Sequence, residues 1–449
     1  MGRFEEYFLA LRGKKILVMG LGVSNRPLVR LLLEFGCTVT GCDRTPREKL
    51  DGEVLALEKL GCTLSVGEGY LEGLSADVVF RTPGMHPDHP AFAGLRAGGA
   101  RVTSEMEAFF ALCPCPIIGV TGSDGKTTTT SLIAAMLRTA GKKVWLGGNI
   151  GTPLLPQVRQ MTENDLAVVE LSSFQLLDMT HSPQVALITN LTPNHLDVHK
   201  DMAEYTYAKE TIFRFQKAAD KLILNADDPA TSHYAGPGRT VRFSRKGEAR
   251  CCLKGEDIYL DGRPVLSRQD ILLPGDHNVE NYMAAILAVE GLVTPAHIRQ
   301  TARSFGGVAH RTELVRTVKG VRYYNDSIAS TPTRTAAGLK CFPEKVILIA
   351  GGYDKHIPYD AFGPEVCKHV KALVLCGATA PAIRASVEGC SGEKPPIYDC
   401  ANLDEAITRA VSLAKEGDVV LLSPASASFD QFKNFEERGN FFKSRIGDL

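Results

Sequence analysis

Short apolar runs alternate with amphipathic stretches along the chain, and glycine-rich turns separate them. Near the N-terminus, KKILVMG predicts a short buried strand, the pattern from Arg26 to Phe35 predicts a helix, and CTVTGCD predicts a second strand that ends at Asp43. A strand, a helix and a second strand in this order form a βαβ unit, whose two strands are parallel. The pattern therefore predicts the α/β class at the start of the chain.

Two later segments repeat this pattern. The second contains PIIGV, LAVVELSS, VALITNLT and KLILNADD and extends to about Phe305, and the third contains VRYYNDS, EKVILIAGG, ALVLCG and DVVLLSPAS. A length of 449 residues also suggests about three domains of ~150 residues. We place the first boundary near Glu105 and a hinge at Gly306 and Gly307. The predicted domains are residues 1–105, 106–306 and 307–449, all of the α/β class.

The net charge and the hydropathy of the chain argue against nucleic-acid and membrane partners. Lysine plus arginine number 51, and aspartate plus glutamate also number 51, so no overall field attracts nucleic acid or anionic lipid. No apolar run approaches the ~20 residues that cross a bilayer. The first segment, MGRFEEYFLALRGKK, contains acidic residues and has too short an apolar run for a signal peptide. We expect a cytoplasmic protein that binds small molecules, with no nucleic-acid or membrane partner.

The twelve cysteines are scattered along the chain. Neither the pair Cys113 and Cys115 nor the adjacent pair Cys251 and Cys252 supplies the two ligands of a CxxC metal knuckle. Reduced core or surface thiols are the better interpretation for a cytosolic protein.

The first glycine-rich turn, GLGVSN, resembles a dinucleotide-binding fingerprint. Gly20 and Gly22 supply two of its three glycines, Asn25 replaces the third, and Asp43 follows where a ribose-binding acid would lie. The loop FRTPGMHPDHP follows another predicted strand at the carboxyl edge, where open α/β sheets bind ligands. Two alternatives remain at this point, namely a nicotinamide-dependent oxidoreductase and a doubly wound domain with ordinary glycine turns.

The segment TGSDGKTT resembles a phosphate-binding loop, although Val120 occupies the first glycine of the strict pattern. Gly122 and Gly125 lie between a predicted strand and a predicted helix, so backbone N–H groups can converge on phosphate oxygens at the helix N-terminus. Lys126 can reach the outer phosphates, and Thr127 offers a hydroxyl group to magnesium. The alternative is a glycine turn that precedes Lys-Thr by chance.

Further polar residues follow the neighbouring strands. Glu170 ends the strand in VVELSSFQ, and a carboxylate at such a position is suited to a magnesium ion between phosphates. His195, Asp197 and His199 follow the next strand, where one histidine could join a metal or all three could face water. Lys209 lies in an amphipathic helix predicted over about 202–217, and taken alone it would be a solvated surface lysine.

Taken together, these motifs resemble those of the Mur ligase family, and the likeness covers nearly the whole chain. The motifs are GLGVSN, TGSDGKTT, GGNIG, ELSSFQL, NLTPNHLD, YTYAK, DHNVENYMAA, HRTE, NDSIAS, AGGYDK and LLSPASASFDQFKNFEERG. The last motif and the N-terminal GLG unit are most similar to the D-glutamate-adding branch. The resemblance implies three domains: a Rossmann-like N-terminal domain that binds UDP, a central P-loop ATPase-like domain with a mostly parallel sheet, and a C-terminal Rossmann-like α/β domain.

The resemblance also implies roles for individual residues. The catalytic residues would be Lys126, Lys209 and His195. The ATP site would contain Gly122, Ser123, Asp124, Gly125, Lys126, Thr127, Thr128, Asn281, Arg311 and Asp326. The UDP-substrate site would contain Ser24, Asp43, Arg44, Thr82, Gly84 and Asn149, and the D-glutamate site Lys355, Ser428 and Phe429. Metal ligands would come from Thr127, Glu170, His195 and a carbamylated Lys209.

The implied reaction is the ATP-dependent joining of UDP-N-acetylmuramoyl-L-alanine to D-glutamate through an acyl phosphate, with two Mg²⁺ ions and a monomeric enzyme. Four positions depart from the family pattern: Asn25 replaces glycine, Asp124 replaces a common asparagine, Ile328 a common lysine and Phe429 a frequent leucine. The lysine missing at Ile328 removes a cation beside the amino-acid site. A non-catalytic nucleotide sensor and the oxidoreductase are the alternative functions.

Overall fold

The structure is a computed structural model, and it describes residues 2–195 and 198–449. The helices are α1 (Arg3–Leu9), α2 (Asn25–Glu34), α3 (Gly52–Lys59), α4 (Pro90–Ala97), α5 (Glu105–Leu112), α6 (Lys126–Thr139), α7 (Ser173–Leu176), α8 (Met202–Arg214), α9 (Asp276–Ala288), α10 (Pro295–Ser304), α11 (Pro332–Leu339), α12 (Phe362–His369), α13 (Ala380–Glu388), α14 (Leu403–Leu413) and α15 (Phe435–Gly447). The strands are β1 (Lys15–Met19), β2 (Thr38–Asp43), β3 (Thr63–Val66), β4 (Val78–Arg81), β5 (Arg101–Thr103), β6 (Ile117–Thr121), β7 (Val144–Gly148), β8 (Leu166–Glu170), β9 (Val185–Ile188), β10 (Lys221–Asn225), β11 (Arg239–Ser244), β12 (Cys251–Lys254), β13 (Asp257–Leu260), β14 (Arg263–Ser267), β15 (Glu313–Val318), β16 (Val321–Asn325), β17 (Val346–Ala350), β18 (Val370–Leu375), β19 (Ile397–Asp399) and β20 (Val419–Leu422).

The first sheet has five parallel strands in the order β3-β2-β1-β4-β5. Four of the five residues of β1 are buried, as expected for a strand that helices cover on both faces. Strand β1 pairs with β2 from Lys15 opposite Thr38 to Met19 opposite Cys42. The carboxyl ends of β2, β1 and β4 are therefore adjacent, and the loops that follow them meet at one edge of the sheet.

The second sheet has nine strands in the order β14-β13-β12-β11-β10-β9-β6-β8-β7. The strands from β7 to β12 are parallel to their neighbours, and β12 pairs with β13 in the antiparallel sense. All five residues of β6 are buried. Because β6 lies between β8 and β9, the loops that follow these three strands are neighbours.

The third sheet has six strands in the order β15-β16-β20-β17-β18-β19. Strand β15 is antiparallel to β16, and the other five strands are parallel. Strand β20 is central and fully buried, between β16 and β17. The loops after β16, β20 and β17 therefore share one edge.

The chain forms two compact units, Met1–Leu266 with Glu280–Ile298, and Ser267–Val279 with Arg299–Leu449. The first unit contains the first two sheets, and the second contains the third sheet. The α/β class with mostly parallel sheets is confirmed, whereas the domain boundaries at 105/106 and 306/307 stay a prediction. Among the helices of the described residues, none is long and apolar enough to span a bilayer.

Candidate active site

The phosphate loop connects β6 to α6 in the first unit. Helix α6 begins at Lys126, directly after Gly125, whose φ of 77° lies in the left-handed region. Gly122 has a φ of 145°, and a Cβ there would collide with Oγ1 of Thr189. A Cβ at Gly125 would lie 2.5 Å from Oδ1 of Asn281. Both positions require glycine, which allows the backbone to turn sharply into the first N–H groups of the helix.

Residues directly after β9 and on α8 hold this loop in shape. The backbone N–H of Asp124 donates to Oδ1 of Asn190 at 2.9 Å, and Oγ1 of Thr189 donates to the carbonyl of Asp124 at 2.6 Å. The hydroxyl groups of Tyr205 and Ser123 are 2.9 Å apart. We did not assign Thr189, Asn190 and Tyr205 a role from the sequence. The feature of the sequence that could have indicated a role for them is their position in or next to the motifs NLTPNHLD and YTYAK.

The side chains of the loop differ in exposure. Asp124 is exposed, and Lys126, Thr127 and Thr128 are half-buried. The ammonium of Lys126 donates to the carbonyls of Gly122 and Ser123, each at 2.9 Å. The structure also brings Asn281 of α9 to the loop, where its Oδ1 accepts a hydrogen bond from Thr129 at 3.1 Å.

Glu170 is a buried carboxylate beside the loop. It ends β8 in register with Val120 of β6 and is 1% exposed. Asn149, which follows β7, donates its side-chain N–H to Oε1 of Glu170 at 2.8 Å. The other oxygen, Oε2, is buried and has no hydrogen-bond partner within residues 2–195 and 198–449. A buried, unsatisfied carboxylate oxygen is costly, and a cation would satisfy it.

Lys209 is buried, so it is not a solvated surface lysine. Lys209 is 3% exposed. Its Nζ donates to the carbonyl of Gly122 at 2.8 Å and lies 4.7 Å from the ring centre of Tyr205. Burial lowers the pKa of Lys209 to about 7, and the charge of Lys126 acts in the same direction. The carboxylates of Asp124 and Glu170 oppose this shift. A neutral fraction of the amine is therefore present near pH 7, unlike in an ordinary lysine.

The two histidines after β9 have different surroundings. His195 is exposed, has a φ of 55°, and its ring packs edge-on against Phe174 at 5.2 Å. His199 is buried, where its Nε2 lies 2.8 Å from Oγ of Ser173 and its ring stacks on Phe174. His199 is therefore part of the packing beneath the loop. Asp197 lies outside the described residues.

The loops at the edge of the first sheet form a second polar cluster. Oδ2 of Asp43 accepts from the backbone N–H of Leu21 at 2.8 Å, and Oδ1 accepts from Thr45 at 2.9 Å. Burial acts to raise the pKa of Asp43, but these N–H groups hold it below its usual value. Asp43, at the end of β2, thus holds the glycine turn after β1 in place through a hydrogen bond.

Asn25 has a structural role that explains its replacement of the third glycine. Its side-chain N–H group donates to the carbonyls of Met19 and Gly20 at 3.1 and 2.9 Å. A Cβ at Gly20 would lie 2.8 Å from the Thr82 side chain, so the loops after β1 and β4 are in close contact. Ser24 is half-buried beside them, and Arg44 and Gly84 are exposed. Asn149 differs from these residues, because it lies on the second sheet next to Glu170.

The edge of the third sheet holds the remaining residues. Asp326, after β16, accepts from Oγ of Ser423 at 2.7 Å and from the backbone N–H of Thr312 at 3.1 Å. Burial raises the pKa of Asp326 to about 6, against these hydrogen bonds and the charge of Arg311. Arg311 itself is exposed.

Aromatic side chains surround the predicted D-glutamate residues. Lys355 is exposed after β17, and its Nζ lies 5.8 Å from the ring centre of Phe429. Phe429 is 59% exposed and packs edge-on against Tyr353 at 5.8 Å. Ser428 is buried. The exposed ammonium of Lys355 is a cation suited to pairing with a carboxylate of a ligand.

The buried guanidinium of Arg438 on α15 connects these loops, and we did not predict it. It donates to the carbonyls of Ala427 and Ser327, each at 2.9 Å, and to that of Ser426 at 3.1 Å. The loops after β16 and β20 are therefore fixed to each other. The sequence signal was a single arginine in NFEERG, which cannot be distinguished from a surface arginine without the fold.

Comparisons with known proteins agree with this architecture. The model of the Mur ligase middle domain matches residues 120–289, and that of the Mur ligase glutamate ligase domain matches residues 310–426. The chain is 50% identical to a UDP-N-acetylmuramoylalanine--D-glutamate ligase of Acetivibrio thermocellus, over 100% of this chain and 99% of the relative. It is 46% identical to the same-named ligase of Clostridium perfringens, over 99% of each chain.

A solved structure has the same overall fold at low identity. The UDP-N-acetylmuramate-alanine ligase of Thermotoga maritima superposes with a TM-score of 0.60 at 20% identity, covering 97% of this chain and 99% of that one. At this identity the likeness concerns the fold alone. The full-length identity to the D-glutamate ligases is far more specific, and with it the chain belongs to the Mur ligase family.

Proposed function

We propose that the protein catalyses the ATP-dependent formation of an amide bond between UDP-N-acetylmuramoyl-L-alanine and D-glutamate, a step of peptidoglycan synthesis. The observation that carries the proposal is the glycine-lined loop at the start of α6, beside the buried and unsatisfied carboxylate of Glu170. Full-length relatives at 46% and 50% identity bear the name of this ligase. A MurF ligase of Thermotoga maritima with the same fold was solved in complex with ADP.

We propose domains 1–105, 106–306 and 307–449, and we assign ligand-binding residues to each of them. Ser24, Asp43, Arg44, Thr82 and Gly84 would bind the uridine diphosphate group, since the loops after β1, β2 and β4 are adjacent. Residues 122–128 and Asn281 would bind ATP from the central sheet, and Arg311 and Asp326 from the third sheet. Lys355, Ser428 and Phe429 would bind D-glutamate, with Lys355 as the cation for its carboxylates because Ile328 replaces the family lysine.

Magnesium fits the residues around the phosphate loop. Oε2 of Glu170 is a buried oxygen that lacks a partner among the described residues. The hydroxyl of Thr127 lies in the first turn of α6, the helix that follows the phosphate loop. Thr127 and Glu170 would hold one ion and His195 and a modified Lys209 a second, because carboxylate and hydroxyl oxygens suit this hard cation. When bound, magnesium neutralises the phosphate charge that opposes the approach of a carboxylate.

We further propose that Lys209 is carbamylated. Its amine is buried, and burial brings its pKa to about 7, so a neutral amine is available to add to carbon dioxide. The nitrogen lone pair attacks the carbon of CO₂, and the amine loses one proton to give a carbamate. The product is an anion, and the ammonium of Lys126, which donates to the same Gly122 carbonyl as Lys209, is a cation close to it.

The reaction then proceeds in two steps. The carboxylate of the muramoyl substrate attacks the γ-phosphorus of ATP, the bond to the β-phosphate oxygen breaks, and an acyl phosphate and ADP form. The amine of D-glutamate attacks the acyl carbon, phosphate leaves with its electron pair, and the amine proton passes to solvent. The loop N–H groups and Lys126 would stabilise the transferring phosphoryl group, so that catalysis consists of positioning and electrostatics.

The alternative functions leave parts of this site without a role. A nicotinamide-dependent oxidoreductase would use Gly20, Gly22 and Asp43, and it would leave the glycine-lined loop before α6 and the buried carboxylate of Glu170 without a role. A nucleotide sensor has no need of a neutral buried lysine beside a buried carboxylate. We also propose that the enzyme acts in the cytoplasm as a monomer.

The test is phosphate release by the purified chain with ATP, Mg²⁺ and UDP-N-acetylmuramoyl-L-alanine, with amino acids supplied singly. We expect release with D-glutamate and at most a small fraction of that rate with L-glutamate, L-alanine or a diamino acid. NADH fluorescence titration in parallel should give no binding. Equal rates with every amino acid, or no release with D-glutamate, would refute the proposal.

A further inference from the structure

Two cysteines are in contact at the junction between α5 and β6. Cys113 directly follows α5, Cys115 lies two residues later, and β6 begins at Ile117. Their Sγ atoms are 3.5 Å apart. Cys113 is half-buried, whereas Cys115 is 4% exposed. The pair therefore has one accessible sulfur and one sheltered sulfur that already touches it.

The surroundings favour ionisation of the accessible thiol. A hydrogen bond from the Cys115 thiol lowers the pKa of Cys113, although burial opposes the shift. Cys113 also lines a cavity of about 490 Å³ whose lining includes three basic side chains, Arg3, His181 and Lys217, and one acidic side chain, Asp220. Positive groups beside a partly exposed thiol stabilise the thiolate, which is the nucleophilic form.

We propose that Cys113 and Cys115 form a peroxide-sensitive dithiol, in which Cys113 is the attacking sulfur and Cys115 the resolving sulfur. This modification site is separate from the ligase chemistry. The acceptor is a small hydroperoxide, because the cavity admits a small solute to Cys113 and Cys115 is buried.

The reaction balances in two steps. The Cys113 thiolate attacks the terminal oxygen of the hydroperoxide, the O–O bond breaks, and a sulfenic acid and an alcohol, or water in the case of hydrogen peroxide, are formed. The Cys115 sulfur then attacks the Cys113 sulfur, the S–O bond breaks, and hydroxide leaves and takes up the thiol proton as water. Two thiols lose two hydrogens in total, and the peroxide is reduced.

A second cysteine pair on the same chain provides a matched control. Cys251 and Cys252 are adjacent in sequence on β12, and both are buried. Burial raises the pKa of Cys251, so its thiolate is scarce. This pair is closer in sequence than Cys113 and Cys115 but both of its thiols are sheltered, so it should react slowly with the same oxidant.

The experiment treats the reduced full-length chain with hydrogen peroxide, blocks free thiols with N-ethylmaleimide and analyses tryptic peptides by mass spectrometry. Residues 102–126 form one such peptide, with Cys113 and Cys115 as its cysteines, and residues 251–254 form the control peptide. We expect peptide 102–126 to lose both maleimides together and two hydrogens, at least about tenfold faster than the control peptide. Equal rates for the two peptides, or two maleimides on peptide 102–126, would overturn the proposal.

Two variants test the assigned roles. In Cys115→Ala the reaction should stop at a sulfenic acid on Cys113, which dimedone traps. In Cys113→Ser, which changes the half-exposed residue, Cys115 should keep its maleimide, and ligase turnover should match that of the unmodified chain. Oxidation of Cys115 in Cys113→Ser at the wild-type rate would show that the roles are wrong.

Discussion

At the scale of single residues, burial changes the chemistry of groups that look ordinary in the sequence. Lys209 taken alone would be a solvated surface lysine, and Glu105 only marks the predicted first domain boundary, yet both are buried. The motif resemblance identified Lys209, but no periodicity predicted its burial. The reason is that Lys209 is enclosed by a segment distant in sequence, since its Nζ donates to the carbonyl of Gly122 on the phosphate loop.

Replacement of Lys209 tests the carbamate directly. We expect Lys209→Ala to lose at least about 10³-fold in kcat, because a ligand for the second magnesium is removed. Formate or acetate at millimolar concentration should restore part of the rate by filling the space of the carbamate. Phosphate release is the measurement, and Lys217→Ala, an exposed lysine beyond the same helix, is the control. Failure of every short acid to restore activity would count against carbamylation.

Replacement of Lys126 tests the phosphate loop. Lys126→Ala removes the cation that the loop supplies to the transferring phosphoryl group, so we expect kcat to fall by about 10²- to 10³-fold or more. Lys142→Ala, an exposed lysine after the end of α6, should leave the rate unchanged. A Lys126→Ala enzyme with near-normal turnover would remove the loop from the mechanism.

Glu105 makes the stability depend on pH. Burial raises its pKa from 4.5 to about 7, against one hydrogen bond from the backbone N–H of Leu155. Since the folded state holds the proton more tightly, the contribution of Glu105 is fully present below pH 4.5 and is lost as pH rises through about 7. The loss reaches about 3 kcal/mol above that pH.

The measurement is urea unfolding at pH 5 and at pH 8 for the wild-type chain and for Glu105→Gln. The amide cannot ionise, so the variant should lose less stability than wild type between these two pH values. Identical pH dependence in both proteins would show that Glu105 does not titrate in this window.

At the scale of secondary-structure elements, hydrophobic patterning predicted much of what the structure contains. The pattern from Arg26 to Phe35 corresponds to α2 (Asn25–Glu34), and CTVTGCD corresponds to β2 (Thr38–Asp43). The helix predicted over 202–217 ends earlier, at Arg214. The backbone N–H of Phe215 donates to Oγ of Ser182, and the Gln216 side chain donates to the carbonyls of Pro183 and Lys221. The contacts with Ser182 and Pro183 join segments far apart in sequence, which no local pattern contains.

The turn between β6 and α6 depends on glycine at Gly122. A methyl group there would collide with the Thr189 side chain, and the φ of 145° disfavours any other residue. We expect Gly122→Ala to destabilise the fold by about 1–3 kcal/mol and to abolish detectable ATP turnover. Gly94→Ala is the matched control, since its Cβ would meet no atom within 4 Å and Gly94 lies inside α4. Thermal unfolding and phosphate release would measure both variants, and equal behaviour would contradict the steric argument.

At the scale of the whole molecule, three sheets each present loops at their carboxyl edge, and many of the predicted ligand residues lie on those loops. Lys209 and Asn281 are exceptions, because they lie on α8 and α9. The sequence allowed this arrangement to be predicted because parallel strands place their following loops together. The strand order was not predictable, since it depends on pairings between distant segments such as β6 with β8 and β9. Arg438 and Asn190, which fix loops across such pairings, were missed for the same reason.

The central claim is that ATP activates the substrate carboxylate as an acyl phosphate, and isotope transfer tests it most directly. The measurement uses UDP-N-acetylmuramoyl-L-alanine whose carboxylate carries oxygen-18, with ATP, Mg²⁺ and D-glutamate, and follows the released phosphate by mass spectrometry. The account predicts that each amide bond formed transfers one labelled oxygen to inorganic phosphate. Amide formation with only unlabelled phosphate would contradict it.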